Sequence, residues 1–223
     1  MIKIEKEFKM YDGQKVIARH WNEAAEGFDA QHDTEDLSLW RHELEGAIGL
    51  NGSGRTLDVG CGTGFLALML AELGYYSTGL DFAEKMLDAG REKARLRELP
   101  VEFVQGTCEE TPFQDDTFDA VLNCRVMWTL QDPVAALAEW KRILKPGGKV
   151  ISFMRMMPLD GAGERYGEGI VLPLSSGKRE DYTAAYAAAG LMDIQVVEMP
   201  EAMSHAEDMP GWTMFMGMKP YEE

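Results

Sequence analysis

The sequence predicts an α/β fold, a doubly wound, seven-stranded, mostly parallel sheet preceded by an N-terminal helical cap. Three observations carry that prediction. From Arg55 onward, short β-prone runs alternate with helical stretches, the pattern of βαβ units with a sheet covered on both faces. A glycine-rich turn, Gly60-Cys-Gly-Thr-Gly64, sits between the first such run and the first helix of the series. Residues 1–50 have a different texture, with three of the four histidines (His20, His32, His42), Trp21 and Trp40, and no β-rich run.

In the first segment Trp21, Ala24, Ala25 and Phe28 fall at helical spacing, as do Leu37, Trp40, Leu44 and Ile48, so two or three short helices are expected. Asn51-Gly-Ser-Gly54 closes them with turn residues. Thr56–Val59 is the first strand, and the apolar helix after the glycine turn ends at Gly74, a C-terminal cap. Tyr75–Leu80 is a second strand, Ala83–Leu99 a helix closed by Pro100, Val101–Gln105 a third strand and Phe118–Asn123 a fourth. Asp132-Pro133 marks a helix start, with an N-cap acid and proline at the first helical position. Lys145-Pro-Gly-Gly148 stops that helix, and Lys149–Met154 is a fifth strand. Gly161–Gly177, with five glycines, reads as a mobile loop. Arg179–Ala189 is helical, and Ile194–Met199 and Trp212–Met218 are closing strands.

Composition limits the function. The chain has 223 residues and a formal net charge of -16, which disfavours phosphate-driven binding to nucleic acid or anionic lipid. The longest apolar run, Phe65–Ala71, is far short of a membrane span, and Met1-Ile-Lys-Ile-Glu-Lys-Glu lacks the marks of a signal peptide. Three cysteines (Cys61, Cys108, Cys124) with no CxxC pair suggest reduced thiols and a cytoplasmic setting. All three are expected near strand ends, which would suit a thiophilic metalloid. Small buried side chains are the plainer reading, and no metal is expected. The methionine groups 154, 156, 157 and 214, 216, 218 read as adaptable packing.

The glycine turn separates ligand classes. In an open α/β sheet the first βα turn lies at the crevice where ligands bind. Glycines at 60, 62 and 64 give GxGxG, not the GxGxxG of dinucleotide sites, and the phosphate-loop pattern is absent. Asp58, just before the turn, suits a ligand amine better than a phosphate. Asp81, about twenty residues on and ending the second strand, is placed to accept both hydroxyls of a ribose; it also reads as a helix cap. The pattern suits a nucleoside with a cationic tail.

The motifs LDVGCGTG, GLDFAEKML, GTCEETPFQDDTFDAVLNC and LKPGGKVISF, in this order over residues 55–155, resemble those of the class I, Rossmann-like S-adenosylmethionine-dependent methyltransferases. The resemblance implies a catalytic domain over 51–223 and S-adenosyl-L-methionine as cofactor. Gly60, Gly62 and Gly64 would lie under its methionine part, Asp58 would hold its amino group, and Asp81 its ribose. Phe82 and Met86 would pack on the adenine, with Thr107, Cys108 and Glu109 at the adenine edge; family members often have Asp where Thr107 stands. Asn123 would lie beneath the methionine moiety.

Methyl transfer is an in-line displacement whose main demand is alignment, and a base helps only if the acceptor arrives protonated. Residues 1–50 would cap the crevice and carry Tyr11, Arg19, His20, Trp21 and His32. His20 is the candidate base, although a histidine on a surface helix is commonly only solvated. Arg19, Arg125 and Arg155 are candidates to bind an acidic substrate group, or else ordinary surface pairs. Trp128 is a candidate wall of the acceptor pocket, or core. The expected partner is a small-molecule acceptor, with no nucleic acid and no membrane; the oligomeric state is open. The alternatives are an NAD(P)-dependent oxidoreductase and a non-catalytic S-adenosylmethionine-binding module.

Overall fold

The computed structural model describes residues 9–32, 35–49, 52–159, 161–203 and 209–221. Asn51 of the expected turn lies outside them, as does the side chain of His32. Seven strands, β1 (Arg55–Val59), β2 (Tyr76–Asp81), β3 (Glu102–Gln105), β4 (Phe118–Cys124), β5 (Leu144–Arg155), β6 (Met192–Glu198) and β7 (Trp212–Met218), form one sheet in the order β3-β2-β1-β4-β5-β7-β6. β1 to β5 are parallel, and β7 runs antiparallel to both β5 and β6. The order reverses at β1, which pairs with β2 on one side and β4 on the other. That reversal opens a crevice at the carboxyl ends of the strands.

The helices are α1 (Asp12–Ala24), α2 (Leu37–Ile48), α3 (Phe65–Glu72), α4 (Glu84–Leu96), α5 (Pro133–Ile143) and α6 (Arg179–Ala188). Local chemistry starts and stops them. The Asp36 carboxylate accepts the N–H groups of Ser38 and Leu39 to begin α2, and Asp132 accepts that of Ala135, 2.9 Å away, ahead of Pro133 in α5. After α3 the chain turns at Gly74, whose φ of +92° is a conformation glycine adopts without steric cost.

Strand alternation sorts the core into two layers. Leu57, Val59, Val121 and Val150 face α5 and α6, where Trp140, Tyr182 and Tyr186 are fully buried. Ala120, Leu122, Ile151 and Phe153 face the other way, toward Trp40 and Leu44 of α2 and Leu66 and Leu70 of α3. The N-terminal segment is therefore divided. α2 is built into the layer beneath the sheet, while α1 and the 3-10 turn at Phe28–His32 roof the crevice.

The fifth strand differs from the expected Lys149–Met154. It begins at Leu144 and runs through Pro146-Gly-Gly148, with a register shift opposite Phe118 and Ala120. Proline and two glycines end α5 as expected, but here they also form the irregular entry to a strand, since β4 offers hydrogen-bond partners on both sides of the bulge. Residues 161–177 form turns and a 3-10 segment, Pro173–Ser176.

Candidate functional site

A cavity of about 370 Å³ lies over the carboxyl ends of the parallel strands. Its floor is made of residues that end strands or follow them: Gly60 and Gly62 after β1, Asp81 and Phe82 at β2, Cys108 and Glu109 after β3, Cys124 to Val126 at β4, and Met154 and Arg155 at β5. Tyr11, Gln14, Ile17, Trp21 and Phe28 roof it.

The turn after β1 has left-handed backbone at Gly60 (φ +64°), Gly62 (φ +52°) and Gly64 (φ +88°). Three of its N–H groups are already committed. Cys61 donates to Leu80 O, Gly64 donates to Cys61 O, and Gly62 donates to Asp81 Oδ2 at 2.9 Å. Beyond the turn, Asp58 Oδ2 accepts the Ala67 N–H of α3 at 3.0 Å. Two carboxylates thus occupy positions where a nucleotide phosphate would seek donors. Asp58 is buried behind the turn and is not among the cavity-lining residues; burial, reinforced by Asp81, pushes its carboxyl well up.

Asp81 faces the cavity. Its Oδ1 accepts the Ala83 N–H at 2.8 Å and its Oδ2 that of Gly62, so both oxygens are fixed in place and retain lone pairs for a ligand. Burial raises its pKa to about 6, against the lowering effect of those backbone donors. Phe82, Met86, Cys108 and Leu130 make an apolar slot beside it. Cys108 is held by its carbonyl, which accepts the Trp140 indole N–H at 2.8 Å. Glu109 lies at the slot's edge, accepting from Gln14 Nε2 at 2.9 Å, and burial raises its pKa. Burial, with Glu109 close by, pushes the Tyr11 phenol up to about 12.

The structure brings Gly60, Gly62, Asp81, Phe82, Met86, Cys108 and Glu109 together on one cavity. Thr107 is buried and folded back, its hydroxyl accepting the Glu110 N–H at 3.2 Å. Gly64 lies behind the wall, where an added Cβ would meet the Phe103 ring at 3.0 Å. Asn123 points elsewhere: strand parity puts it on the α6 face with Val121, and its Nδ2 donates to Ser152 Oγ at 2.7 Å. His20 is exposed, its ring edge-on to Trp21 and Tyr166, and it is not among the cavity-lining residues.

Of the cysteines, Cys108 and Cys124 line the cavity and Cys61 turns toward Gly79, where an added Cβ would come within 2.8 Å of its Sγ. Burial raises all three thiols, Cys124 to about 12. Among the described residues no group of His, Cys, Asp and Glu could hold a metal ion, and no helix is long and apolar enough to cross a membrane.

Trp128, Arg125 and Arg155 do line the cavity. Sequence reasoning missed what holds the arginines. Glu35 is buried, its Oε1 accepting from Arg125 at 2.8 Å and Arg155 at 3.3 Å, its Oε2 from the indoles of Trp40 at 3.0 Å and Trp212 at 2.9 Å. Its partners are scattered through the chain, so no local pattern announces it. The roof is clasped at three points also silent in the sequence: Gln14 on Glu109, Asn22 Oδ1 on the Lys85 N–H at 2.9 Å, and Asp29 on Thr63 Oγ1 at 2.5 Å and Lys93 Nζ at 2.8 Å.

Comparison with known proteins agrees with this layout. Residues 57–152 match a family described as a methyltransferase domain. The demethylmenaquinone methyltransferase of Staphylococcus aureus strain JH9 is 36% identical over 127 residues, covering 56% of this chain and 52% of that protein. The chain therefore spans about half the length of the curated relatives it matches. Among solved structures, the [4+2]-cyclase SpnF superimposes with a TM-score of 0.73 at 19% identity, over 97% of this chain and all of that one. Phosphoethanolamine N-methyltransferase 2 of Haemonchus contortus, in complex with phosphomonomethylethanolamine and S-adenosylhomocysteine, gives 0.72 at 18% identity, over 95% of this chain and 61% of that one. Such likeness establishes the fold, and fold alone does not fix a reaction. The chain thus has the Rossmann-like fold of these structures, and within it residues 57–152 match the methyltransferase domain family.

Proposed function

We propose that the chain binds S-adenosyl-L-methionine and transfers its methyl group to a small-molecule acceptor. The observation that carries this reading is the state of the glycine turn. Gly62 gives its N–H to Asp81 and Ala67 gives its N–H to Asp58. A diphosphate would meet the Asp81 carboxylate there and find the Gly62 and Ala67 donors already taken, whereas a ribose and a cationic tail would be accommodated, which disfavours the NAD(P) alternative.

The residues present fit the cofactor. Asp81 would accept the ribose hydroxyls, and Phe82, Met86 and Cys108 would sandwich a purine. Glu109 and Gln14 would stand at the adenine edge, and the bare Gly60–Gly62 backbone would pass close to the methionine part. Asp58 would act from behind the turn, reaching an amino group through water. Thr107 would shape the adenine loop by its turn, and Gly64 would let α3 begin close under it. The Asn123 side chain serves the α6 face, which leaves only its backbone toward the ligand. When bound, the cofactor supplies the methyl group, its carbon–sulfur bond leaving as an electron pair on sulfur while an acceptor lone pair forms the new bond. The chain's own part is alignment and exclusion of water by the roof of residues 11–32. His20, exposed, is assigned no proton transfer. The same reading places the protein in the cytoplasm, where its thiols stay reduced, acting without nucleic acid.

Calorimetry with S-adenosylhomocysteine and with NAD, followed by an assay with methyl-labelled cofactor and a panel of small acceptors, tests this. Binding of the sulfur nucleoside and labelled product are expected. Selective NAD binding refutes the reading, and tight cofactor binding with no transfer makes the chain a binding module. A chain that uses the fold for another reaction, as the [4+2]-cyclase does, would leave the label on the cofactor. Asp81→Ala should weaken cofactor binding by about 2–4 kcal/mol, the loss of charge-assisted hydrogen bonds at a buried site.

A further inference from the structure

The cavity has an electrical polarity. Its two lining carboxylates, Asp81 and Glu109, stand at the ends of β2 and β3, while Arg125 and Arg155 stand at the ends of β4 and β5 and Arg165 lines the wall from the 161–177 loop. β2 and β5 are three strands apart in the sheet, about 14 Å at ordinary strand spacing. Among the described residues lining the cavity, no carboxylate stands at the arginine end, and Glu35 behind the wall offsets one of the three positive charges there.

The two strand-end arginines are set in position. Each guanidinium lies 4.5 Å from the centroid of the Trp212 ring, and both reach Glu35. Arg125 adopts φ +64°, a strained conformation for a residue with a side chain, stabilised by its N–H bond to Phe153 O at 3.0 Å. Both have partners besides these; what matters is their place on the wall, because a guanidinium offers five donors in a fixed fork. The cavity is also lined by Trp21, Trp128, Met154 and Met157, with Trp128 stacked on Tyr166 at 6.4 Å and 27°. Indoles and thioethers make a slot that takes a flat apolar ring.

We propose that the methyl acceptor is a flat, apolar molecule bearing an anionic oxygen group, a carboxylate or an ionised phenol. Its ring lies along Trp21 and Trp128, and its anion rests on the Arg125, Arg155 and Arg165 wall. This rests on the methyltransferase reading and names its substrate class. It also removes the need for a base: no histidine is among the described lining residues, both lining carboxylates belong to the ribose end, and an anion arrives already deprotonated.

The test uses the full chain. S-adenosylhomocysteine is first titrated by calorimetry; no binding overturns the methyltransferase reading and this inference with it. With that ligand saturating, 2-naphthoate and its neutral near-isostere 2-naphthamide are titrated at up to millimolar concentration and followed by tryptophan fluorescence. The naphthoate should bind about tenfold more tightly, the value of one charge-assisted contact. That preference should largely vanish in Arg155→Met and in Arg165→Met, with retained S-adenosylhomocysteine binding showing that the variants fold. Arg165 is exposed, so its variant stands even if Arg155→Met does not fold. Equal affinities, a preference for the amide, no binding of either probe, or an unchanged preference in the folded variants overturns the inference while leaving the cofactor reading intact. If the variants lose affinity for S-adenosylhomocysteine but not for 5′-methylthioadenosine, which lacks the amino-acid part, the arginines hold the cofactor's own carboxylate and the acceptor assignment falls.

Discussion

Gly60→Ala separates two reasons for a glycine in the turn. The first is conformational: at φ +64° a residue with a Cβ costs about 1–2 kcal/mol. The second is steric. The added methyl would lie 2.5 Å from Val126 Cγ2 and 3.1 Å from Cγ1, and Val126 is buried and β-branched, with little rotamer freedom to yield. Overpacking of this kind costs about 1–3 kcal/mol, so the variant should lose about 2–5 kcal/mol, a large share of the stability of an ordinary domain. Urea denaturation followed by circular dichroism measures it. Gly62→Ala is the internal control: its φ is +52°, but the added methyl meets only the Phe28 ring at an ordinary 3.5 Å, so only the conformational cost of about 1–2 kcal/mol remains. Combining Val126→Ala with Gly60→Ala should restore the steric part and show a favourable coupling of about 1–3 kcal/mol. A Gly60→Ala loss no greater than that of Gly62→Ala, or a cycle without coupling, refutes the role given to Val126.

Cofactor affinity should fall on acidification through pH 6, because burial holds the Asp81 pKa at about 6 and only the carboxylate accepts both ribose hydroxyls; titration calorimetry below that value should find about a tenfold weakening per pH unit. The same shift has the opposite sign for stability. A carboxyl raised in the folded state contributes stability that is fully present below its ordinary value of 3.8 and lost as pH rises through about 6, so Asp81→Asn should flatten the stability profile across that window. Glu35→Gln removes the carboxylate shared by two guanidiniums and two indoles and should cost about 2–4 kcal/mol, measured by denaturant titration, whereas an exposed pair such as Lys15–Asp12 should be dispensable. Gln14→Ala breaks one clasp of the roof and should speed hydrogen exchange or proteolysis within α1 while sparing α5. Because burial raises all three thiols, none should react with a disulfide reagent at neutral pH until the protein unfolds.

What the sequence revealed depended on how far apart the interacting residues lie. The start of α5 was legible because Asp132, Pro133 and Ala135 make a self-contained cap. Asp81 was legible for the same reason, its partners Gly62 and Ala83 belonging to the motifs on either side of it. The entry to β5 was not, since Pro146-Gly-Gly148 signals an interruption and only β4 alongside turns it into paired strand. Asn123 illustrates a different shortfall. Its place in a motif suggested a ligand contact, whereas counting by twos from the core residue Val121 assigns its side chain to Val121's own face, toward α6, where it bonds Ser152. Glu35 had no sequence signal at all, because its donors come from positions 40, 125, 155 and 212.

The sheet order carries a consequence for biogenesis. β6 precedes β7 in the chain, yet β7 is its sole neighbour among the described strands and also seals the flank of β5. During synthesis the half of the sheet bearing the cavity can assemble while the β5 flank stays unpaired, and residues 192–198 have nothing to join until residues 212–218 emerge. That interval exposes a ribbon of Val150, Ile151 and Phe153, the kind of open template that recruits other nascent chains. Translational pausing before β7 has emerged should therefore favour aggregation.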